Sequence, residues 1–276
     1  RVSAAMPAWR EIGAIAAKEF RERLRNRWIV AVAAVFAAFA LLIAYFGAAQ
    51  QGAVGFRGIE VTIASLTSLV IYLVPLIVLL LGYDAIAGER ERGSLDLLLA
   101  LPITRFELLL GKYLGLAAAF AASTLAGFGL AGAVLVARAE PGALYHYAGF
   151  VLSALLMGMA FLALAVMVSV LAADRARASG AAIALWFFFV LVFDLLLLAA
   201  LVLTGGRVAG DLLAYLMLLN PADVFRVLNI FTLSDITVMY GLATVMPPAL
   251  ADPWLLGGVM LIWIAAPLAI AGWGFK

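Results

Sequence analysis

The 276-residue chain has no cysteine and few charged residues. Without thiols it can form no disulfide, no thiolate metal site and no redox dithiol. Only 12% of its residues are charged and 67% are hydrophobic, against about 25% and about 45–50% in soluble domains. That composition excludes a water-soluble globule. The 18 basic and 16 acidic residues are nearly balanced and thinly spread, which argues against a nucleic-acid surface.

Six apolar runs are each long enough, at about 20 residues, to cross about 30 Å of hydrocarbon as helices. Barrel strands would instead alternate over about 10 residues. We therefore predict an all-α integral membrane protein that forms a single domain over residues 1–276. The predicted spans are Ile29 to Ala48, Ile63 to Tyr83, Tyr113 to Ala137, Ala148 to Ala172, Ala178 to Thr204 and Trp254 to Phe275.

The distribution of Lys and Arg predicts the orientation of the spans. All but four of the 18 basic residues lie before the first span, in the second-to-third and fourth-to-fifth loops, or at the C-terminus. Short loops rich in Lys and Arg stay in the cytoplasm. Both termini are therefore predicted to be cytoplasmic and the segment 205–253 extracytoplasmic. The four exceptions are Arg57, Arg138, Arg207 and Arg226.

Residues 8–25, before the first span, have the pattern of an amphipathic helix. An apolar stripe that includes Trp9, Ile12, Phe20 and Leu24 lies opposite a charged face. Such a helix is expected to lie in the headgroup plane of the inner leaflet, in contact with membrane lipid. The alternative is a helix that transmits motion to the first span.

The cytoplasmic loop 84–107 is predicted to contain a helix, a break and a second short helix at about 94–101. Gly93 can end the first helix and Ser94 can cap the second. Asp96 suits the positive end of that helix, and Pro102 ends it.

Thr104 and Glu107 then form a capping-box pattern that starts the third span. Before them, Leu95, Leu98, Leu99 and Leu101 give the short helix more apolar surface than a solvated connector needs. The short helix is therefore predicted to insert into a partner or into the interface. A plain interfacial loop is the alternative.

The sequence resembles the permeases of ABC-2 type exporters in this loop. The resemblance lies in a Gly-Glu stretch, Gly-Ser-Leu within a Leu-rich run, Pro-x-x-Arg, and a Gly-Lys that opens the next span. Tyr83 to Ile86 and Trp186 to Asp194 are more specifically similar to the permeases that support maturation of the copper centres of nitrous oxide reductase. This resemblance covers nearly the whole chain.

The resemblance implies a homodimer of six-helix permeases in the bacterial inner membrane, with two separate ATPase subunits on the cytoplasmic face and a periplasmic β-helical partner. ATP and Mg would be bound by the ATPases, and this chain would bind no cofactor. Independently, the chain lacks a phosphate-binding loop, since Gly111-Lys112 is followed by Tyr113 and has no upstream glycine. The residues assigned to ATPase coupling are Glu89, Arg90, Glu91, Arg92, Gly93, Ser94, Leu95, Asp96, Leu98 and Leu99.

The extracytoplasmic segment 205–253 is predicted to contain short helices that are too apolar to be solvated. Asn220, Pro221 and Asp223 resemble a cap, a first-turn proline and an acid at a helix N-terminus. These helices could close the outer mouth or pack in the bundle, or they could dock the periplasmic partner. The candidate gate or partner residues are Leu219, Asn220, Pro221, Asp223, Phe225 and Arg226.

Asp194 is the one charged residue within the predicted spans. A carboxylate there costs about 2.5–3.5 kcal/mol on insertion scales, so it should face protein or water. A structural hydrogen bond, for example to a Ser or Thr on another helix, is the first interpretation. Contact with a substrate or a proton path is the second.

The soft metal ligands do not cluster, since the eight Met are scattered and His146 is the only histidine. Transport of bare copper ions through ligands of this chain is therefore disfavoured. Transport of a sulfur-containing species, or transmission of force to the outer partner without a transported ion, is equally compatible with the sequence. A general exporter of a lipid or drug is the alternative. An ion-coupled carrier or a membrane enzyme would need more intramembrane charges or catalytic groups than one Asp.

Overall fold

The computed structural model describes residues 9–46, 59–136, 143–203, 210–230 and 252–275. Within these ranges the chain forms helices and no strand, which confirms the all-α prediction. The helices are α1 (Trp9–Arg25), α2 (Trp28–Phe46), α3 (Ile59–Gly82), α4 (Ala87–Glu91), α5 (Ser94–Leu99), α6 (Arg105–Val136), α7 (Ala143–Leu171), α8 (Arg175–Phe187), a π-helical turn (Phe188–Val192), α9 (Phe193–Leu203), α10 (Gly210–Met217), α11 (Pro221–Ile230) and α12 (Pro253–Gly274).

Six helical stretches are long and apolar enough to span a membrane, as the sequence predicted. The third begins at Arg105, eight residues before the predicted start. It begins there because the capping box forms. The backbone N–H of Thr104 donates to Glu107 at 2.7 Å, and that of Glu107 donates to the Thr104 hydroxyl at 3.2 Å. The spans are Trp28–Phe46, Ile63–Glu91, Arg105–Val134, Leu144–Leu171, Arg175–Leu203 and Pro253–Gly274.

Helix α7 is the centre of the bundle and packs against α3, α6 and α12. Its Phe150 and Phe161 are fully buried, and Phe128 of α6 stacks on Phe36 of α2 with ring centroids 5.0 Å apart. The fifth span is peripheral, and none of the side chains of α9 is buried. The fifth span therefore directs most of its apolar surface away from the bundle.

Helix α1, predicted as an amphipathic helix at the membrane surface, packs along α6. Close approach is possible because α6 carries Gly111 and Gly115, where a Cβ would lie 2.7 Å from Ile15 and 2.6 Å from the Ala16 carbonyl. Ile12 is buried in this contact while Trp9 and Leu24 stay exposed. α1 is thus part of the bundle as well as amphipathic.

The outer segment predicted at 205–253 is described only in part. Residues 204–209 and 231–251 lie outside the described residues, as do Arg57 and Arg138. Helix α11, which is described, packs against α3, α7 and α12. It meets α7 at Ser153, far along that helix from Ser169, which contacts α4. Helix α11 therefore lies at the opposite end of the bundle from the loop 84–107, which contains α4 and α5 (the α4–α5 loop).

Candidate functional site

The α4–α5 loop turns sharply at Gly93, whose φ of +70° is a left-handed conformation that favours glycine. Gly93 itself is the N-cap of α5, and Ser94 is the first helical residue. This differs from the predicted Ser94 cap. The Ser94 hydroxyl points back to α4 instead, where it donates to the backbone carbonyl and the carboxylate of Glu89. The two short helices are thereby tied to each other.

Of the leucines predicted to face a partner, only Leu101 is exposed. Leu95 is only 7% exposed, and Leu98 and Leu99 are half-buried against the bundle. The exposed leucines are Leu97 of α5, at 74%, and Leu101, which follows the helix, at 53%. Leu95, Leu98 and Leu99 therefore anchor the helix, while Leu97, which the sequence reasoning missed, is available for a partner.

Lys112 joins three helices beneath this loop. Its ammonium lies 3.1 Å from a carboxylate oxygen of Glu89 on α4 and 3.4 Å from one of Glu19 on α1. Its side chain is 4% exposed, so the charge is buried and must be paired. Arg23 also pairs with Glu19 at 3.2 Å, and Arg92 approaches Glu89 at 4.0 Å. Lys112 thus ties α4 to α1 and α6.

Helix α4 is also bound to the junction between α7 and α8. The Arg90 guanidinium donates to the carbonyls of Val170 and Ala172, and the Ser169 hydroxyl accepts from the backbone N–H groups of Ile86 and Ala87, both at 2.9 Å.

Two charged contacts strengthen the same junction. Arg175 pairs with Asp84 at 3.0 Å, and its backbone N–H donates to Glu91 at 3.3 Å. The α4–α5 loop is therefore in contact with the start of the fifth span as well as with α1 and α6.

A second polar cluster lies at the opposite end, where α11 meets the π-helical turn of the fifth span. A π-helical turn widens the helix and leaves carbonyls available. The Asn220 amide donates to the Phe189 carbonyl at 2.8 Å and to Asp223 at 2.9 Å. Asn220 also caps α11, since its side-chain oxygen accepts from the Ala222 N–H.

Arg226 completes this cluster between two carboxylates. One of its guanidinium nitrogens lies 2.6 Å from Asp223, and the other lies 2.9 Å from Asp194. The partner of Asp194 is thus an arginine from the outer segment and not the suggested Ser or Thr. Burial raises the pKa of Asp223 to about 7, with Arg226 opposing the shift and Asp194 adding to it.

The predicted gate residues are distributed over two environments. Asn220, Asp223 and Phe225 are fully buried, and the Phe225 ring lies 6.0 Å from that of Phe150. Leu219 is exposed, and Pro221 begins α11. Helix α11 is therefore packed in the bundle, whereas Leu219 just before it is exposed, as are Leu212 and Tyr215 of α10.

The sequence reasoning missed several of the residues that hold these clusters together. The sequence pattern draws attention to Lys112 only beside Gly111, and it does not single out Glu19, Asp84 or Arg175. A charged residue next to glycine at the start of a span, as in Gly111-Lys112, is the available signal for Lys112. The other pairings depend on which helices are neighbours.

Among the described residues, no three His, Asp or Glu side chains are grouped so that they could hold a metal ion. The charged groups are instead paired with one another and with backbone carbonyls. Such pairing fixes the positions of the helices relative to one another, because a buried charge is costly to separate from its partner.

Comparison with known proteins identifies the class of protein to which this bundle belongs. The profile of the ABC-2 family transporter proteins matches residues 13–276. The chain belongs to the ABC-2 family. Two relatives cover it almost completely, each named as a probable ABC transporter permease protein NosY. The one from Pseudomonas aeruginosa is 47% identical over 263 residues, 93% of this chain and 94% of the relative. The one from Stutzerimonas stutzeri is 44% identical over 264 residues, 93% and 95% respectively.

Membership of the ABC-2 family agrees with the architecture described above. The protein is a multi-pass inner-membrane permease of an ABC transporter, with six apolar helices long enough to span the bilayer. In such a transporter the permease associates with ATPase subunits. The α4–α5 loop contains the residues that carry the resemblance to ABC-2 permeases.

Proposed function

We propose that this chain is the permease subunit of the ABC transporter that supports assembly of the copper centres of nitrous oxide reductase. The similarity to the two NosY permeases over 93% of the chain is the observation that carries the proposal. In this proposal two copies form a homodimer, with both termini and the α4–α5 loop in the cytoplasm. Two ATPase subunits bind ATP and Mg there, and this chain binds no cofactor.

The α4–α5 loop is proposed to receive the motion of the ATPase. Its exposed surface combines Leu97 with the charges of Glu91, Arg92 and Asp96, a composition suited to a protein groove. The buried Lys112 then links α4 to α1 and α6. A rigid-body displacement of the loop would move these helices together, because paired buried charges resist separation.

At the opposite end, α11 is proposed to act as the periplasmic element that responds. It is bound to the fifth span through the Asn220 and Arg226 contacts, and the fifth span starts at Arg175 beside α4. Leu219 and neighbouring residues would contact a periplasmic β-helical partner. The transporter would move a sulfur species or drive that partner, and bare copper would not cross.

A charge at Leu97 tests the coupling assignment. Leu97→Glu places a carboxylate on the exposed face of α5 without entering the core, and Leu97→Met is the matched apolar control. We expect Leu97→Glu to lose ATPase binding in reconstituted complexes and to lose reductase maturation in cells. Leu97→Met should keep both. Equal activity of the two variants would contradict the assignment.

Purification from the native host in mild detergent, followed by mass spectrometry, tests the assembly. Recovery of a Walker-motif ATPase together with a periplasmic β-helical protein is the expected result. An ATPase alone would instead favour a general exporter of a lipid or drug. A folded permease that brings neither would favour a carrier or an enzyme.

A further inference from the structure

A cavity of about 390 Å³ lies at the end of the bundle opposite α5. Its walls come from the start of α7 and α12, the end of α11 and Ile63 of α3. This volume is within the range of about 300–1,000 Å³ that is typical of ligand pockets. The walls are mostly apolar, and the polar exceptions include His146, Ser153 and Asn229. The cavity therefore suits an apolar molecule with a small polar part.

The polar side chains of the wall fall into two groups. Ser153 and Asn229 satisfy each other, since the Asn229 amide donates to the Ser153 hydroxyl at 2.9 Å and to the Phe225 carbonyl at 2.8 Å. The Nδ1 atom of His146 is buried and has no hydrogen-bond partner among the described residues. A ligand would therefore place its polar part beside His146 and its apolar part against the apolar walls of the cavity.

The position of the cavity relates it to one leaflet of the membrane. At the His146 end, Tyr145 and Trp254 are 77% and 89% exposed, as aromatic residues are at a membrane interface. The lining stretch of α7, from Tyr145 to Leu156, rises about 16 Å at about 1.5 Å per residue. One leaflet contributes half of a hydrocarbon core that is about 30 Å thick. The cavity thus runs for the depth of one leaflet.

We propose that this cavity binds one acyl chain of a phospholipid from the leaflet at that end, with the ester or headgroup oxygens beside His146. Water is a poor occupant of an apolar cavity, and an empty one loses contacts on its walls. An acyl chain supplies those contacts and reaches the cavity directly from the bilayer. It lies against Leu228 of α11, so the bound lipid supports the docked position of that helix.

Two glycines keep the cavity open and supply the variants that test the proposal. Gly149 and Gly257 line the cavity, and a Cβ at either would meet no atom within 4 Å, so a larger side chain can be added at its wall without a clash. A Cβ at the adjacent Gly258 also meets nothing, yet Gly258 does not line the cavity. Gly257→Leu and Gly149→Leu therefore fill the site, and Gly258→Leu is the matched control on the same helix.

The test uses the full chain in vesicles of phosphatidylethanolamine and phosphatidylglycerol that contain a trace of phosphatidylglycerol with a photoactivatable acyl chain. After illumination, labelled peptides are measured by mass spectrometry. We expect several-fold more label per residue on 145–156 and 253–257 than on the lipid-facing residues of α9. Gly257→Leu and Gly149→Leu should lose this enrichment, and Gly258→Leu should keep it.

Three results would overturn the proposal. Label spread evenly over the cavity and α9 would mean that lipid contacts the protein without a site there. Enrichment that survives both filling variants would place the lipid elsewhere. Stronger enrichment with a photoactivatable free fatty acid than with the phospholipid would assign the cavity to a different ligand.

Discussion

Replacement of Lys112 by Met removes the cation that lies between Glu19 of α1 and Glu89 of α4. Met preserves much of the side-chain volume, so the change acts mainly on charge. Removing one partner of a buried ion pair costs about 3–5 kcal/mol, since the other charge is left buried. Glu19 keeps Arg23, and Glu89 keeps Ser94 and Arg92. We therefore expect the low end of that range, about 3 kcal/mol.

The matched control is Lys18→Met on α1. Lys18 pairs with Glu22 at 2.9 Å, but both side chains are about half exposed. Such a surface pair contributes about 0.2–1 kcal/mol. Thermal unfolding of the purified permease in detergent, at one scan rate, should show a midpoint roughly 6 °C lower for Lys112→Met. It should show little change for Lys18→Met.

A second variant separates charge from packing. If the loss comes from the uncompensated carboxylates, Glu19→Gln combined with Lys112→Met should recover part of the midpoint, because one buried charge is gone. The reasoning would be refuted if Lys112→Met unfolds like Lys18→Met, or if the double variant is no better than the single one. The first result would mean that Lys112 is not buried, and the second that its packing matters more than its charge.

Two further predictions concern the α11 cluster. Asp194→Asn can still accept a hydrogen bond from Arg226, whereas Asp194→Leu cannot. Reductase maturation should therefore be higher with Asp194→Asn than with Asp194→Leu. Equal loss in both variants would indicate that the negative charge is required. The pKa of Asp223 is raised to about 7 in the folded protein, from about 3.9 in the unfolded chain. Between these two pH values the folded state therefore binds more protons than the unfolded state. The free energy of unfolding should consequently fall as pH rises through 7. The thermal unfolding midpoint should be lower at pH 8 than at pH 5.5. Asp223→Asn should unfold at the same midpoint at both pH values. If the pH dependence persists in Asp223→Asn, another titratable group causes it.

The sequence alone was sufficient for the number of spans, because hydrocarbon thickness imposes a minimum length on each apolar run. It also located the α4–α5 loop. The αL turn at Gly93 and the capping box of Thr104 and Glu107 depend on residues close together in the chain, so local chemistry decides them. The ABC-2 resemblance followed from the same residues.

Only the tertiary structure decided which charges meet. Glu19 and Lys112 are 93 residues apart, and Asp194 and Arg226 are 32 residues apart, so no local pattern relates them. The same holds for the faces of short helices. Leu97 is exposed and Leu98 half-buried because of where α5 rests against the bundle, and helical periodicity alone does not say which side faces the bundle. Local sequence thus determined the elements, while the packing of helices distant in the chain determined the sites.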